Sequence, residues 1–226
     1  MSNVVPINQK SLSLVPQENA FSAVMTVVEP IEPKRKQFGG RKGRGSEGYV
    51  DPRRTLTPEE LQRVLEAARK TGHYGERNYC LILIAYRHAL RNNELCTLHW
   101  SQINLESKEI YIYRSKGGQP NIHPLADDEI AALNRLADHR GYVFKSLTGG
   151  HLEERAVFRI VQRAGQVAGL DFPIGTHIFR HTKITQLVKR KFHAFTVQNF
   201  AGHRDIKTTM RYVHELDNDF EGMTDD

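Results

Sequence analysis

The sequence predicts a mostly helical α+β domain with a small antiparallel sheet, and three observations lead there. Apolar residues recur at helical spacing along most segments from residue 55 onward. One short passage, Glu109 to Arg114, instead alternates Ile110 and Ile112 with Tyr111 and Tyr113, the period of a strand. Gly117-Gly118 then stands where a hairpin would turn. The 226 residues, 39% of them hydrophobic, suffice for one principal core, and no internal repeat is evident.

Residues 1–54 show little periodicity and read as a flexible, basic, glycine-rich leader. The chain carries 32 Lys and Arg against 26 Asp and Glu, a net +6, and the stretch Lys34 to Arg54 contributes +6 by itself. Lys34, Arg35, Lys36, Arg41, Lys42 and Arg44 are therefore candidate contacts to the backbone of an acidic polymer such as DNA, although the same composition suits a solubilising tail.

Folding is expected to begin near residue 55. Thr57 can cap a helix, Pro58 suits its first position, and Glu60 stands where a capping box needs a carboxylate. Leu61, Val64, Leu65 and Ala68 then form the buried stripe of a helix ending at Lys70 or Thr71. A second helix is expected over Gly75 to His88 and a short one over Asn92 to His99, after a turn at Ala89-Leu90-Arg91. Ile103 to Leu105 and Glu109 to Arg114 read as strands, returning across the glycine turn through Ile122 to Pro124. Helices follow over Asp127 to His139 and Leu152 to Ala168, with an extended passage at Val143-Phe144 between them. Three more fit 176–190, 194–200 and 205–213, and residues 217–226 read as a short acidic tail.

Cys80 and Cys96 sit in apolar surroundings, which suits reduced core thiols and a cytoplasmic home better than a disulfide framework. The longest apolar run, around Leu81 to Ala85, is far below the roughly 20 residues that cross a bilayer, and no signal-peptide pattern opens the chain. No membrane partner is expected.

Four motifs carry chemistry: Ala89-Leu90-Arg91-Asn92-Asn93-Glu94-Leu95, Ser115-Lys116-Gly117, Thr176-His177-Ile178-Phe179-Arg180-His181, and the run from Ala201-Gly202-His203 to Tyr212-Val213-His214. Each is weak alone. In this order they resemble the tyrosine recombinase, or phage integrase, family over nearly all of residues 55–216. Arg77-Asn78-Tyr79-Cys80-Leu81, His123-Pro124-Leu125 and the compact length are similar to the short fimbrial phase-variation DNA invertases within it.

The resemblance implies a catalytic domain over 55–216 that cleaves and rejoins DNA through a 3′-phosphotyrosyl intermediate, for inversion, integration or excision. Arg91 and Arg180 would hold the scissile phosphate, since guanidinium forks match its oxygens and stay charged. Tyr212 would be the nucleophile, His177 would help with proton transfer, His203 would hydrogen-bond to the phosphate, and Lys116 would protonate the leaving 5′-oxygen. Glu94 and His181 would support this set structurally. The family also implies double-stranded DNA with specific sites as partner, a homotetramer on paired sites, no cofactor and no metal. An accessory DNA-bending protein is a further partner it allows.

Blander readings stand beside these. An isolated Arg91 or Lys116 is a surface cation, His177 a helix cap, and Tyr212 an amphipathic residue packing the last helix. His177 and His181 are spaced i,i+4 as in some metal sites, but no carboxylate or cysteine ligand is obvious nearby. A catalytically silent DNA-binding regulator of the same fold, or a one-site relaxing enzyme, would use much of the same pattern. Ala201 stands where the family commonly has Leu, Arg190 to His193 replaces a glycine-containing turn, and the leader is too short for the DNA-clamping domain of larger relatives.

Overall fold

The structure is a computed structural model that describes residues 55–114, 120–136 and 138–216. The leader with its six basic candidates, the Gly117-Gly118 turn and the acidic tail lie outside the described residues. Helix α1, Pro58–Lys70, opens on the expected reciprocal cap: Glu60 N donates to Thr57 Oγ1 at 3.2 Å and Thr57 N to Glu60 Oε2 at 2.9 Å. Its buried stripe includes Leu61, Val64, Leu65 and Ala68.

Helix α2, Gly75–Arg87, is buried without interruption from Cys80 to Ala85, because it is packed between neighbours and has no solvent side there. Both cysteines are free and buried. After the turn at Ala89 comes α3, Asn92–Cys96, and then a single 3-10 turn, Trp100–Gln102. Strands β1, Ile103–Asn104, β2, Glu109–Ile112, and β3, Asn121–Pro124, form an antiparallel sheet in the order β1-β2-β3. Ile103 and His123 both pair with Ile110. Helices α4, Asp127–Asn134, α5, Glu154–Val167, α6, Thr176–Lys189, α7, Ala194–Ala201, and α8, Ile206–Leu216, complete the described chain.

The expected fold class and element order hold, and three ends come early. α3 stops at Cys96 because the His99 ring accepts from Ser101 N and so starts the next turn. β2 ends at Ile112, short of Arg114. α4 stops at Asn134 instead of reaching His139: the His139 ring stacks on Trp100 at 4.1 Å, while Trp100 N donates to Gly141 O and Val143 N to Leu98 O. These bonds draw residues 139–143 back along the segment after α3, which a continuing helix would prevent.

Two apolar clusters organise the interior. The larger joins α1, α2, α3, α5 and the sheet around Phe144 and Phe179. The smaller consists of Ala89, Ile184, Val197 and Ala201, with Leu187, Val188, Phe200 and Tyr212 packed against it, and it seats the three C-terminal helices. Leu56 N donates to Thr182 Oγ1 at 2.9 Å, tying the start of the domain to α6.

A buried polar chain links the two clusters. Glu129 Oε1 lies 2.8 Å from His88 Nε2, and His88 Nδ1 lies 3.2 Å from His123 Nδ1. The His123 ring stacks on Phe200 at 4.2 Å. Burial pushes up the Glu129 carboxyl, but the His88 hydrogen bond and charge more than offset it, holding the group below the usual carboxylate range. Burial, then His88 and Arg114, push the His123 imidazole down to about 2.

An unfolded imidazole titrates near ~6.5, so below that pH the unfolded chain binds a proton that native His123 refuses, and stability falls as the pH drops. Between about pH 6.5 and 4.5, where most carboxylates stay ionised, the urea midpoint is therefore expected to decline with falling pH. His123→Gln should flatten that decline by close to one proton, measured by urea denaturation followed by circular dichroism.

Candidate active site

The site is assembled around the C-terminus of α7. A helix ends with carbonyls that have no partner inside it, and they carry the negative end of its dipole. Three consecutive ones here accept from three arginines. Phe200 O takes Arg114 Nη2, Ala201 O takes Arg180 Nη2 at 2.7 Å, and Gly202 O takes Arg91 Nη2 at 3.0 Å. Gly202 caps the helix at φ +62, and a Cβ there would fall 2.6 Å from Arg114 Cγ, Cδ and Nε. Left-handed backbone and close approach both demand glycine at this position.

Glu94 lies buried among the arginines. Its Oε1 accepts from Arg91 Nη1 at 2.7 Å, and its Oε2 accepts from Arg91 N at 3.0 Å and Arg114 Nη1 at 3.1 Å. Burial raises the Glu94 pKa, yet Arg114 and then Arg91 more than cancel that, so the carboxylate stays below its ordinary range. Arg180 Nη1 donates to Ala89 O at 2.5 Å, and Ala89 holds a left-handed φ of 51. The turn before Arg91 is thus bent so that its carbonyl meets Arg180. Burial, then Arg91 and Arg114, lower the Arg180 pKa to about 9, which leaves it a cation at neutral pH.

His203 follows the cap, and its Nδ1 lies 2.8 Å from the fully buried Thr209 Oγ1 of α8. Burial, then Arg180, Arg91, Arg114 and Arg211, push this imidazole down to about 3. Tyr212 is partly buried on α8, its ring near-parallel to that of His203 at 6.3 Å, and its Oη lies 2.6 Å from His181 Nδ1.

The structure therefore gathers Arg91, Arg180, His203 and Tyr212 with Glu94 and His181. His177 is exposed on α6, about one turn before His181. Lys116, like the leader residues Lys34 to Arg44, lies outside the described residues. Sequence reasoning missed Arg114 and Thr209. Arg114 had a readable signal: it continues the inward-facing series Ile110, Ile112 at strand spacing, and so had to be buried. Thr209 had none.

The model of the phage integrase family matches residues 54–219. The type 1 fimbriae regulatory protein FimE of Escherichia coli K12 is 36% identical over 183 residues, covering 77% of this chain and 92% of that protein. FimB of the same strain is 35% identical over 181 residues, covering 76% and 90%. Among solved structures, XerA recombinase superposes with a TM-score of 0.65 at 23% identity, covering 76% of this chain and 65% of that one. XerH site-specific recombinase bound to difH substrate, in a pre-cleavage complex, gives 0.62 at 25% identity, covering 76% and 53%.

The contact between Gly202 and Arg114 is open to a double-mutant test. Gly202→Ala should destabilise by about 2 kcal/mol, through left-handed strain and the clash with the arginine stem. Adding it to Arg114→Ala, where the stem is gone, should cost less by more than about 0.5 kcal/mol, measured by urea denaturation.

Proposed function

Because the chain belongs to the phage integrase family, the tyrosine recombinases, we propose that it is a site-specific DNA recombinase that cleaves and rejoins strands through a 3′-phosphotyrosyl link to Tyr212. The observation that carries this reading is the meeting of the Tyr212 hydroxyl, Arg91, Arg180 and His203 around one helix end.

Arg91 and Arg114 share the one Glu94 carboxylate, and burial followed by repulsion from those two cations lowers the Arg180 pKa. A phosphodiester set against Arg91 and Arg180 supplies negative charge, and attack on phosphorus places more on its equatorial oxygens. The cations therefore stabilise the transition state beyond the ground state. Arg114 has a different part: with Glu94 and Phe200 O as partners it holds the framework under the other two. His203 is neutral at physiological pH, and with the Thr209 hydroxyl donating to Nδ1 the ring proton sits on Nε2, free to donate to a phosphate oxygen.

In this reading residues 55–216 are the catalytic domain, Lys116 protonates the leaving 5′-oxygen, and His177, exposed on α6, helps with proton transfer. The basic leader tracks the DNA backbone, adding phosphate contacts to those of the catalytic domain. Four protomers on two sites form the working synapse, aided by a DNA-bending partner. FimE and FimB are matched over 92% and 90% of their length, so the likeness takes in nearly the whole of each. Together with the resemblance to fimbrial phase-variation invertases, this supports inversion between inverted repeats as the reaction.

The test incubates the purified chain with DNA flanking its gene that carries inverted or direct repeats. The native protein should form a covalent adduct and rearranged product, and Tyr212→Phe should form neither while binding equally well. Binding with neither adduct nor rearrangement in the native protein would identify a DNA-binding regulator instead.

A further inference from the structure

We infer that His181 is a further catalytic residue: its Nδ1 takes the proton from Tyr212 Oη during attack and returns it on resealing. The inference rests on the recombinase reading above. Nucleophile and base are 2.6 Å apart, within reach for direct proton transfer. The rings are tilted by 37° with centroids 5.5 Å apart, so the contact is made edge to hydroxyl and not by stacking.

The surroundings hold this contact in place. His181 directly follows Arg180, whose two terminal nitrogens are fixed by Ala89 O and Ala201 O. It directly precedes Thr182, whose Oγ1 donates to Ile178 O at 2.7 Å and accepts from Leu56 N at 2.9 Å. Tyr212 is fixed from its other side by packing on the smaller apolar cluster. His177 is exposed, which suits a contact to DNA better than one to a phenol packed on that cluster. Arg180 interacts electrostatically with Tyr212, and the His203 ring lies near-parallel to the Tyr212 ring, so that the Arg180 cation favours a developing phenolate.

A phenol with a pKa near ~10 is ionised to roughly one part in a thousand at pH 7, so a base beside it matters, and imidazole near ~6.5 suits the task. Neutral His181 carries its proton on Nε2 and accepts at Nδ1. As Oη bonds to phosphorus the P–O5′ bond breaks, the Oη proton passes to Nδ1, and O5′ receives a proton from Lys116. On resealing, a 5′-hydroxyl gives its proton back to Lys116 and attacks phosphorus. The P–Oη bond breaks, and the His181 imidazolium reprotonates Oη.

The decisive experiment measures single-turnover cleavage against pH on a flanking repeat carrying a 5′-bridging sulfur at the scissile position. The thiolate leaves without a proton, so the profile reports the nucleophile alone. The native rate should rise tenfold per pH unit and level off once the base is deprotonated, well below the ordinary range of a phenol. His181→Asn should be slowed by about 10² or more at pH 7 and keep rising toward about pH 10, with DNA binding and melting temperature retained. His181→Gln gives the same reading should the Asn variant melt early. An Asn or Gln variant with the native rate and plateau, or loss of the plateau in His177→Asn instead, overturns the assignment while leaving the recombinase reading intact. Absence of any Tyr212 adduct in the native protein overturns both.

Discussion

The end of α7 is the constraint on which the rest of the site depends. Arginines from before α3, from just beyond β2 and from α6 converge on three successive carbonyls, and no one of them could be buried there alone. A guanidinium taken from water needs hydrogen-bond acceptors and compensating charge, and a helix C-terminus offers both in a fixed array. Glu94 supplies one full negative charge, and the carbonyls supply partial ones. The remainder is an excess of positive charge, held rigidly, which is what a phosphate-binding site requires.

Holding three side chains at one point fixes several backbones at once. Ala89 adopts a left-handed conformation so that its carbonyl meets Arg180, and Gly202 has no side chain because Arg114 occupies the space. The Glu129–His88–His123 chain supports the same region from beneath: His88 precedes the bent Ala89, and His123 stacks on Phe200, whose carbonyl receives Arg114. Polar groups this deep are tolerated because most of them meet a partner, with Arg114 Nε and His123 Nε2 as exceptions, and losing one member would strand its neighbours.

Much of this architecture was legible in the chain. The cap at Thr57, the buried stripe of α1, the sheet and the succession of C-terminal helices follow from local chemistry, which is the same in the sequence and in the fold. Where helices end was less legible, because α4 and α3 stop for reasons that lie elsewhere, in Trp100 against His139 and in the turn begun by His99. Residue type and order also pointed to Arg91, Glu94, Arg180, His203 and Tyr212. They could not show that acceptors for the arginines are main-chain carbonyls, since carbonyls belong to every residue and carry no sequence signal. The i,i+4 pair His177 and His181 was likewise ambiguous, and only the packing of α8 on α6 brings His181 to the hydroxyl.

The two halves of the site differ in how firmly they are held. Arg91, Glu94 and Arg114 stand on the elements of the larger core, whereas Tyr212 stands on the last described helix, seated on a satellite cluster of four buried residues. Its polar ties include the His181 contact and the neighbouring bond from His203 to Thr209. Elements with little buried apolar contact open at lower free energy than the core does. The arginine half can therefore stay rigid while the helix that carries Tyr212 adjusts. The proposed strand-exchange function would use that division, because charge that stabilises a transition state must be fixed in advance while a covalent arm has to follow the DNA end it carries.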